Sequence, residues 1–400
     1  MRTVLLTYEF GAGLGHLHRL LAVAERLREH RLVFALPDLP LGEPVVRRAF
    51  GDAARVVQGV VWNAPTDPAV RQVPTHTFAD VITLFGFGQT ERLRAAVTRA
   101  SALLDENAPD LIVADFAPTL RLASQGRVPT AVVGNGYTVP PAGRLLPPMR
   151  PWEESVGPVS RAAEARLLVA VNEVRAAIGG GAVEQFADLF SGERSFVCTI
   201  AEFDPYGALR AEPATWPFNV PDIAPGPGNA QRRDAPVFCY FQRGHPALDA
   251  VLAALSRLPT KSAVYVQGLD PHAVAARCGR NVAIHRNPAD FAQVLPRTCL
   301  LVHHAGLGTA YAGLLAGTPQ LLLPLNLEHG ITARGVERFG SGVRLSVQPP
   351  PEPEPIARRI REMLGDSALH ARAARTARDL AGRRVADPVA PLAEACRSLL

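Results

Sequence analysis

Covalent staples are scarce in this sequence. Its 400 residues include five cysteines (Cys198, Cys239, Cys278, Cys299 and Cys396), widely spaced, odd in number and without a CxxC pair. Neither a disulfide framework nor a zinc site is expected, and the thiols read as buried and reduced. Lysine is nearly missing too. Lys261 is the only one, so the net charge of +5 rests on scattered arginines. That pattern excludes a concentrated nucleic-acid face and leaves at most a weak attraction to anionic phosphates or a membrane surface. No stretch of 18 apolar residues occurs, so no membrane span is expected. Met1 runs straight into the apolar segment TVLLTY without a basic leader or cleavage signal, which predicts a cytoplasmic protein.

What is present is ordinary globular material, 48% hydrophobic and 20% charged, in a chain long enough for two cores. Short apolar runs alternate with helical patterns: TVLLTY, a helix over 17–29, LVFAL, LIVAD and TAVVG. Continuous rather than alternating hydrophobicity predicts strands buried on both faces of a parallel sheet. The rhythm stops near Asp204 in a segment dense in proline and glycine. It resumes with APVFCYF, SAVYV, NVAIH, CLLVH and QLLLP. The expected class is α/β, with two doubly wound Rossmann-like domains facing across a cleft. The predicted division is 1–204, a linker at 205–235, a second domain at 236–380 and a C-terminal helix at 381–400 that returns to the first. QPPPEPEP, 348–355, reads as an extended lead into the C-terminal helices.

After strand CLLVH comes His304-Ala305-Gly306-Leu307-Gly308-Thr309 and then an apolar helix. Glycines let a ligand approach the helix N-terminus, where unpaired amides and the helix dipole suit a diphosphate without a metal. Thr309 and His304 can add donors. Taken alone, the turn is equally a plain strand–turn–helix connection.

Its surroundings decide the reading. HAGLGT, the alanine-rich AYAGLLAG, TPQLLLP and LNLEH follow one another in the order and spacing of a motif that resembles the nucleotide-sugar glycosyltransferases of the glycosyltransferase B fold. That superfamily includes the macrolide, sterol and plant secondary-metabolite enzymes. The match covers about 295–342. The resemblance implies that His304, Gly306, Leu307, Gly308 and Thr309 hold the diphosphate of a UDP- or dTDP-hexose, and that Glu328 and His329 grip the sugar hydroxyls. Glu328 also suits a simple helix-start carboxylate. Three departures stand out. His329 replaces the usual Gln, Ala312 replaces a ribose-binding Glu, and Phe291, in Pro288-Ala289-Asp290-Phe291, falls in the loop whose Trp stacks the base in many relatives. Arg243, in the turn Phe241-Gln242-Arg243-Gly244, can pair with a phosphate or stand in solvent.

The loop Gly11-Ala12-Gly13-Leu14-Gly15-His16 has the outline of a dinucleotide fingerprint but fails it at His16, and Pro37 disturbs the strand end before Asp38. In the superfamily this loop carries the histidine that takes the proton from the acceptor hydroxyl. By resemblance His16 has that role, with Asp115 as the carboxylate that orients it; Asp115 can equally be a cap for the helix that follows. His18 is expected to face away. Segments 66–88 and 134–141 are expected to line an apolar acceptor site.

The activity implied is an inverting, metal-independent transfer of a hexose to a hydroxyl of a hydrophobic small molecule. No cofactor beyond the nucleotide-sugar co-substrate is expected, and the protein should be a monomer or homodimer. The competing expectations are a catalytically silent partner of a glycosyltransferase and a nucleotide-sugar epimerase on the same fold.

Overall fold

The computed structural model describes residues 1–11, 14–63, 75–218, 223–224 and 235–400. The chain divides into two compact units, Met1–Asn219 with Ala386–Leu400, and Val220–Val385.

The first unit is a parallel sheet of β1 (Thr3–Thr7), β2 (Arg31–Leu36), β3 (Ala54–Gln58), β4 (Leu111–Ala114), β5 (Thr130–Gly134) and β6 (Arg194–Val197). Their order is β3-β2-β1-β4-β5-β6. Around it lie α1 (Gly15–Glu25), α2 (Leu39–Phe50), α3 (Phe78–Leu84), α4 (Thr90–Asn107), α5 (Pro118–Ser124) and α6 (Pro158–Ala177). Val4, Leu6, Phe34, Leu111 and Val113 from the strands close on Leu17, Leu20, Val23 and Leu27 from α1 and its exit. Burial of each such side chain is worth about 1.5–3 kcal/mol.

The second unit repeats the plan. Its strands are β7 (Val237–Gln242), β8 (Ser262–Gln267), β9 (Val282–Ile284), β10 (Leu300–His303), β11 (Gln320–Leu322) and β12 (Gly342–Arg344), ordered β12-β11-β10-β7-β8-β9 and all parallel. Its helices are α7 (Leu248–Ser256), α8 (Pro271–Ala275), α9 (Phe291–Val294), α10 (Leu307–Ala316), α11 (Leu327–Arg338), α12 (Pro353–Gly365) and α13 (Ser367–Gly382). The last helix, α14 (Ala390–Leu399), belongs to the first unit. Leu392 and Cys396 enter that unit's core, and Arg397 pairs with Glu29 at 2.9 Å.

Both sheets thus have the doubly wound order in which the chain reverses direction beside the first strand. In the first unit the reversal lies between β1 and β4, in the second between β7 and β10. Ligand sites in such sheets form at the carboxyl ends of those strands.

Four sequence expectations need correction. Residues 205–218 are no linker but part of the first unit. Arg210 bonds Asp204 through Nε at 2.6 Å and the Gly136 carbonyl through Nη2 at 3.1 Å, and Thr215 bridges to Cys198. The second unit continues to Val385 because α13 runs to Gly382. α1 starts at Gly15 rather than 17, and α12 starts at Pro353 inside the supposed extended lead, where prolines fit a helix's first turn. β3, β6 and β12 went unrecognised. All three are sheet edges with part-exposed residues, so none shows a continuous apolar run.

Candidate functional site

In the first unit the chain leaves β1 through buried Tyr8, Glu9 and Phe10 and turns at Gly11, with φ +103°. A Cβ there would collide with His16 Nε2. Ala12 and Gly13 lie outside the described residues. His16 occupies the first turn of α1, its ring stacked on Tyr8 at 5.5 Å and tilted against Phe116 at 6.1 Å. His18 points outward, as expected.

Asp115 immediately follows β4 and is completely buried. Its Oδ1 lies 3.0 Å from His16 Nδ1, and its Oδ2 accepts from Arg19 Nε at 2.7 Å. Arg19 Nη2 is itself 3.1 Å from His16 Nδ1. Burial opposes the charge of Asp115, but Arg19 and then His16 more than offset it and hold the carboxyl below its ordinary value.

Asp115 does not cap the following helix. The N-cap of α5 is Ala117, and the free amides of Thr119 and Leu120 go to Glu9, Oε2 at 3.1 Å and Oε1 at 2.6 Å. Glu9 is fully enclosed, and burial pushes its carboxyl up to about 7 against those donors. Phe116, at φ +55°, turns the chain between the two carboxylates; its carbonyl accepts from the Glu9 amide at 3.2 Å. A side chain in this left-handed conformation costs about 1–3 kcal/mol.

Aromatic rings continue from there. Phe116 meets Phe10 at 4.9 Å and Phe78 at 5.3 Å, Phe10 meets Phe85 at 4.8 Å, and Tyr137 stands edge-on to Phe78. The two segments expected around the acceptor, 66–88 and 134–141, therefore contribute rings to one wall beside His16. Residues 66–74 lie outside the described residues.

In the second unit β10 ends at His303, which is structural. Its Nδ1 accepts from the Ala305 amide at 3.2 Å, its Nε2 donates to Gln320 Oε1 at 2.9 Å, and burial pushes it down to about 3. His304 is 4% exposed, lies 5.0 Å from the His329 ring and 5.5 Å from the Tyr240 ring, and is pushed down to about 2 by burial and then by the neighbouring His329. Among the described residues, Nδ1 of His304 and Nδ1 of His329 are buried without a hydrogen-bond partner. Such atoms are costly unless a ligand or water completes them.

The chain then passes through Ala305, at φ +68°, to Gly306, the N-cap of α10, which has no side-chain cap. A Cβ at Gly306 would come within 2.9 Å of His304 Nε2. The first-turn amides lie at Leu307, Gly308 and Thr309; Gly308 is exposed and Thr309 buried. Uncapped amides beside neutral imidazoles can receive an anion.

Glu328 and His329 open α11, whose N-cap Asn326 accepts the His329 amide at 2.9 Å. Burial lowers His329 while Glu328 draws it upward. Phe291 opens α9 and stands edge-on to Tyr240 at 5.7 Å, and Tyr240 in turn stacks on Tyr265. Arg243 is exposed in the turn after β7, and its amide bonds the Gln267 carbonyl at 2.9 Å. Ala312 is wholly buried in α10. The structure thus joins His304 with His329 and Phe291 with Tyr240, and leaves the Arg243 guanidinium without an ion pair among the described residues.

Sequence reasoning missed Arg19, Glu9, Tyr240 and His245. Arg19 was findable, since three residues after His16 is the same helix face. His245 donates from Nε2 to the Leu323 carbonyl at 3.0 Å and accepts the Ala247 amide, a structural role that no motif marks.

Residues 280–396 match the family model of the erythromycin biosynthesis protein CIII-like C-terminal domain. Over 104 residues the chain is 35% identical to O-mycaminosyltylonolide 6-deoxyallosyltransferase of Streptomyces fradiae, covering 24% of this chain and 23% of that protein. Over 295 residues it is 26% identical to a PGL/p-HBAD biosynthesis glycosyltransferase of Mycobacterium tuberculosis, 66% of this chain and 65% of that one. The chain thus spans from about a quarter to about two thirds of the length of these relatives. The calicheamicin glycosyltransferase CalG4 superposes over all of this chain and 98% of its own, with a TM-score of 0.66 at 22% identity. The chain has the fold of these glycosyltransferases, two parallel α/β sheets. Spinosyn rhamnosyltransferase SpnG, solved with thymidine diphosphate, is similar over 98% of this chain and 99% of its own, with a TM-score of 0.64 at 20% identity. Among the described residues no group of His, Cys, Asp and Glu could hold a metal ion, and no helix is long and apolar enough to cross a membrane.

Proposed function

We propose that this chain is an inverting glycosyltransferase that moves a hexose from a nucleoside-diphosphate sugar to a hydroxyl of a hydrophobic small molecule, without a metal. The observation that carries the proposal is the contact of His16 Nδ1 with the buried Asp115 carboxylate at 3.0 Å. When Nδ1 donates to Asp115, Nε2 is left bare to take the acceptor's proton, and the carboxylate stabilises the imidazolium that results. The deprotonated oxygen displaces the nucleoside diphosphate at the anomeric carbon in one step, which inverts that centre. The charge that develops on the leaving group falls to the amides of α10 and to His304, with Arg243 as a further candidate. Glu328 and His329 are the residues proposed to hold the sugar.

Two further facts support the reading. The part-exposed rings of Phe85 and Tyr137, packed on the buried Phe10 and Phe78, suit an apolar acceptor. A similar fold has been solved with thymidine diphosphate bound, which favours dTDP as the first donor to try. Screening UDP- and dTDP-hexoses by mass spectrometry against hydrophobic alcohols and phenols tests the proposal. Product with a β linkage from an α donor supports it. Failure to bind any nucleotide by calorimetry would overturn it in favour of a silent partner protein.

A further inference from the structure

Three groups meet where the catalytic pair was expected. Arg19, on the same face of α1 as His16, is 4% exposed and places Nε 2.7 Å from Asp115 Oδ2 and Nη2 3.1 Å from His16 Nδ1. Asp115 Oδ1 stands 3.0 Å from the same Nδ1, and no hydrogen bond is formed to that oxygen among the described residues. One nitrogen therefore faces a donor and an acceptor at nearly equal distances. It can satisfy only one.

We propose that Arg19 is a positioning residue that competes with Asp115 for His16 Nδ1 and so decides which imidazole nitrogen carries the proton. With Nδ1 bare, Arg19 Nη2 donates to it, Nε2 bears the hydrogen, and the ring has no lone pair for an acceptor hydroxyl. With Nδ1 protonated, the bond runs to Asp115 Oδ1 and Nε2 is a base. Exchange between the two needs a proton to move, while the heavy atoms stay in place. The guanidinium also opposes a second ring proton, because two like charges about 3 Å apart repel strongly in a site this enclosed.

The other titratable groups facing this cluster are Tyr8, stacked on His16, and Cys198, whose thiol senses Arg19 and Asp115. Burial pushes both up to about 12, so both are uncharged at neutral pH. Asp38 acts on Tyr8, and Glu9 turns its carboxylate to α5. The competition for Nδ1 is therefore between Arg19 and Asp115.

The inference rests on His16 being the base, but its first test does not. Imidazole nitrogen shifts of histidine-labelled protein report the tautomer without substrate. In the wild type a population with Nε2 protonated is expected, and in Arg19→Met only the Nδ1-protonated form. Should Arg19→Met fail to fold, Arg19→Lys keeps the charge beside Asp115. Its single ammonium cannot serve both partners, so it too should show the Nδ1-protonated form. Unchanged nitrogen shifts in both variants would overturn the proposal. Transfer that survives His16→Ala would instead overturn the base assignment, whatever the tautomers show.

Discussion

The two units offer the same crevice twice and fill it differently. In each, the chain reverses beside the first strand, and functional candidates follow the two central strands: His16 and Asp115 after β1 and β4, Arg243 and His304 after β7 and β10. The first crevice buries charge. Asp115 and Arg19 are paired ions, and their geometry is tight because an unpaired ion there would be very costly. The second buries none of its own: His303 and His304 are held neutral, α10 is uncapped, and two ring nitrogens lack partners. A site that must move a proton needs fixed charges around it. A site that receives a dianion is better left neutral, with donors waiting. The fold supplies the place in both, and residues at the strand ends supply the chemistry.

If that division is right, the roles should separate under mutation. His16→Ala should lower transfer by about 10²–10⁴-fold, the usual contribution of a general base, while nucleoside-diphosphate binding measured by calorimetry stays unchanged. A parallel loss of binding would break the comparison.

Stability should separate as well. Asp115→Ala strands the Arg19 guanidinium in a buried site and should cost about 3–5 kcal/mol in denaturant unfolding. The double variant Asp115→Ala, Arg19→Met removes both ions and should recover part of that loss. If the single variant unfolds like the wild type, the ion pair is not buried in solution.

Glu9 adds a pH dependence confined to the first unit. Its folded value is raised to about 7 from 4.5, so the folded state holds a proton that the unfolded state has released. Its contribution is fully present below about pH 4.5 and is lost as pH rises through about 7, a change of about 3 kcal/mol. Thermal unfolding from pH 5 to 8 should show this decline, and Glu9→Gln should flatten it. An unchanged slope in Glu9→Gln would place the titration elsewhere.

How much of this the sequence could tell follows from what each residue leaves in the pattern. Central strands such as LIVA and LLVH read directly because both faces are buried. The edge strand ARVVQ did not, since solvent on one side mixes polar residues into it. HAGLGT was legible because its glycines leave room, as at Gly306, where a Cβ would crowd the His304 ring. Asp115 was ambiguous between cap and partner, because the residue that resolves it, Glu9, lies 110 positions from the amide it takes at Thr119. Arg19 shares the helix face of His16, which the i+3 spacing does show, but that spacing alone does not tell that its guanidinium turns inward to Asp115.

The smallest expected effect tests the neutral crevice most directly. His329 stands where the superfamily's motif has Gln, its ring 5.0 Å from His304, with Nδ1 unpartnered among the described residues and its basicity lowered by burial. A diphosphate arriving beside it would favour the imidazolium, so binding should take up a proton and tighten as pH falls. Sign and size follow from linkage: a ring neutral when free and protonated in the complex gains affinity only at the acidic end. Between pH 8 and 6 the Kd for dTDP or UDP should fall by about threefold to tenfold in the wild type. His329→Gln can still donate a hydrogen bond but cannot take up a proton. Its Kd should match the wild type at pH 8 and lose most of that dependence. An equal slope in the variant would assign the proton to another group and end the case for His329 as the residue that answers the ligand's charge.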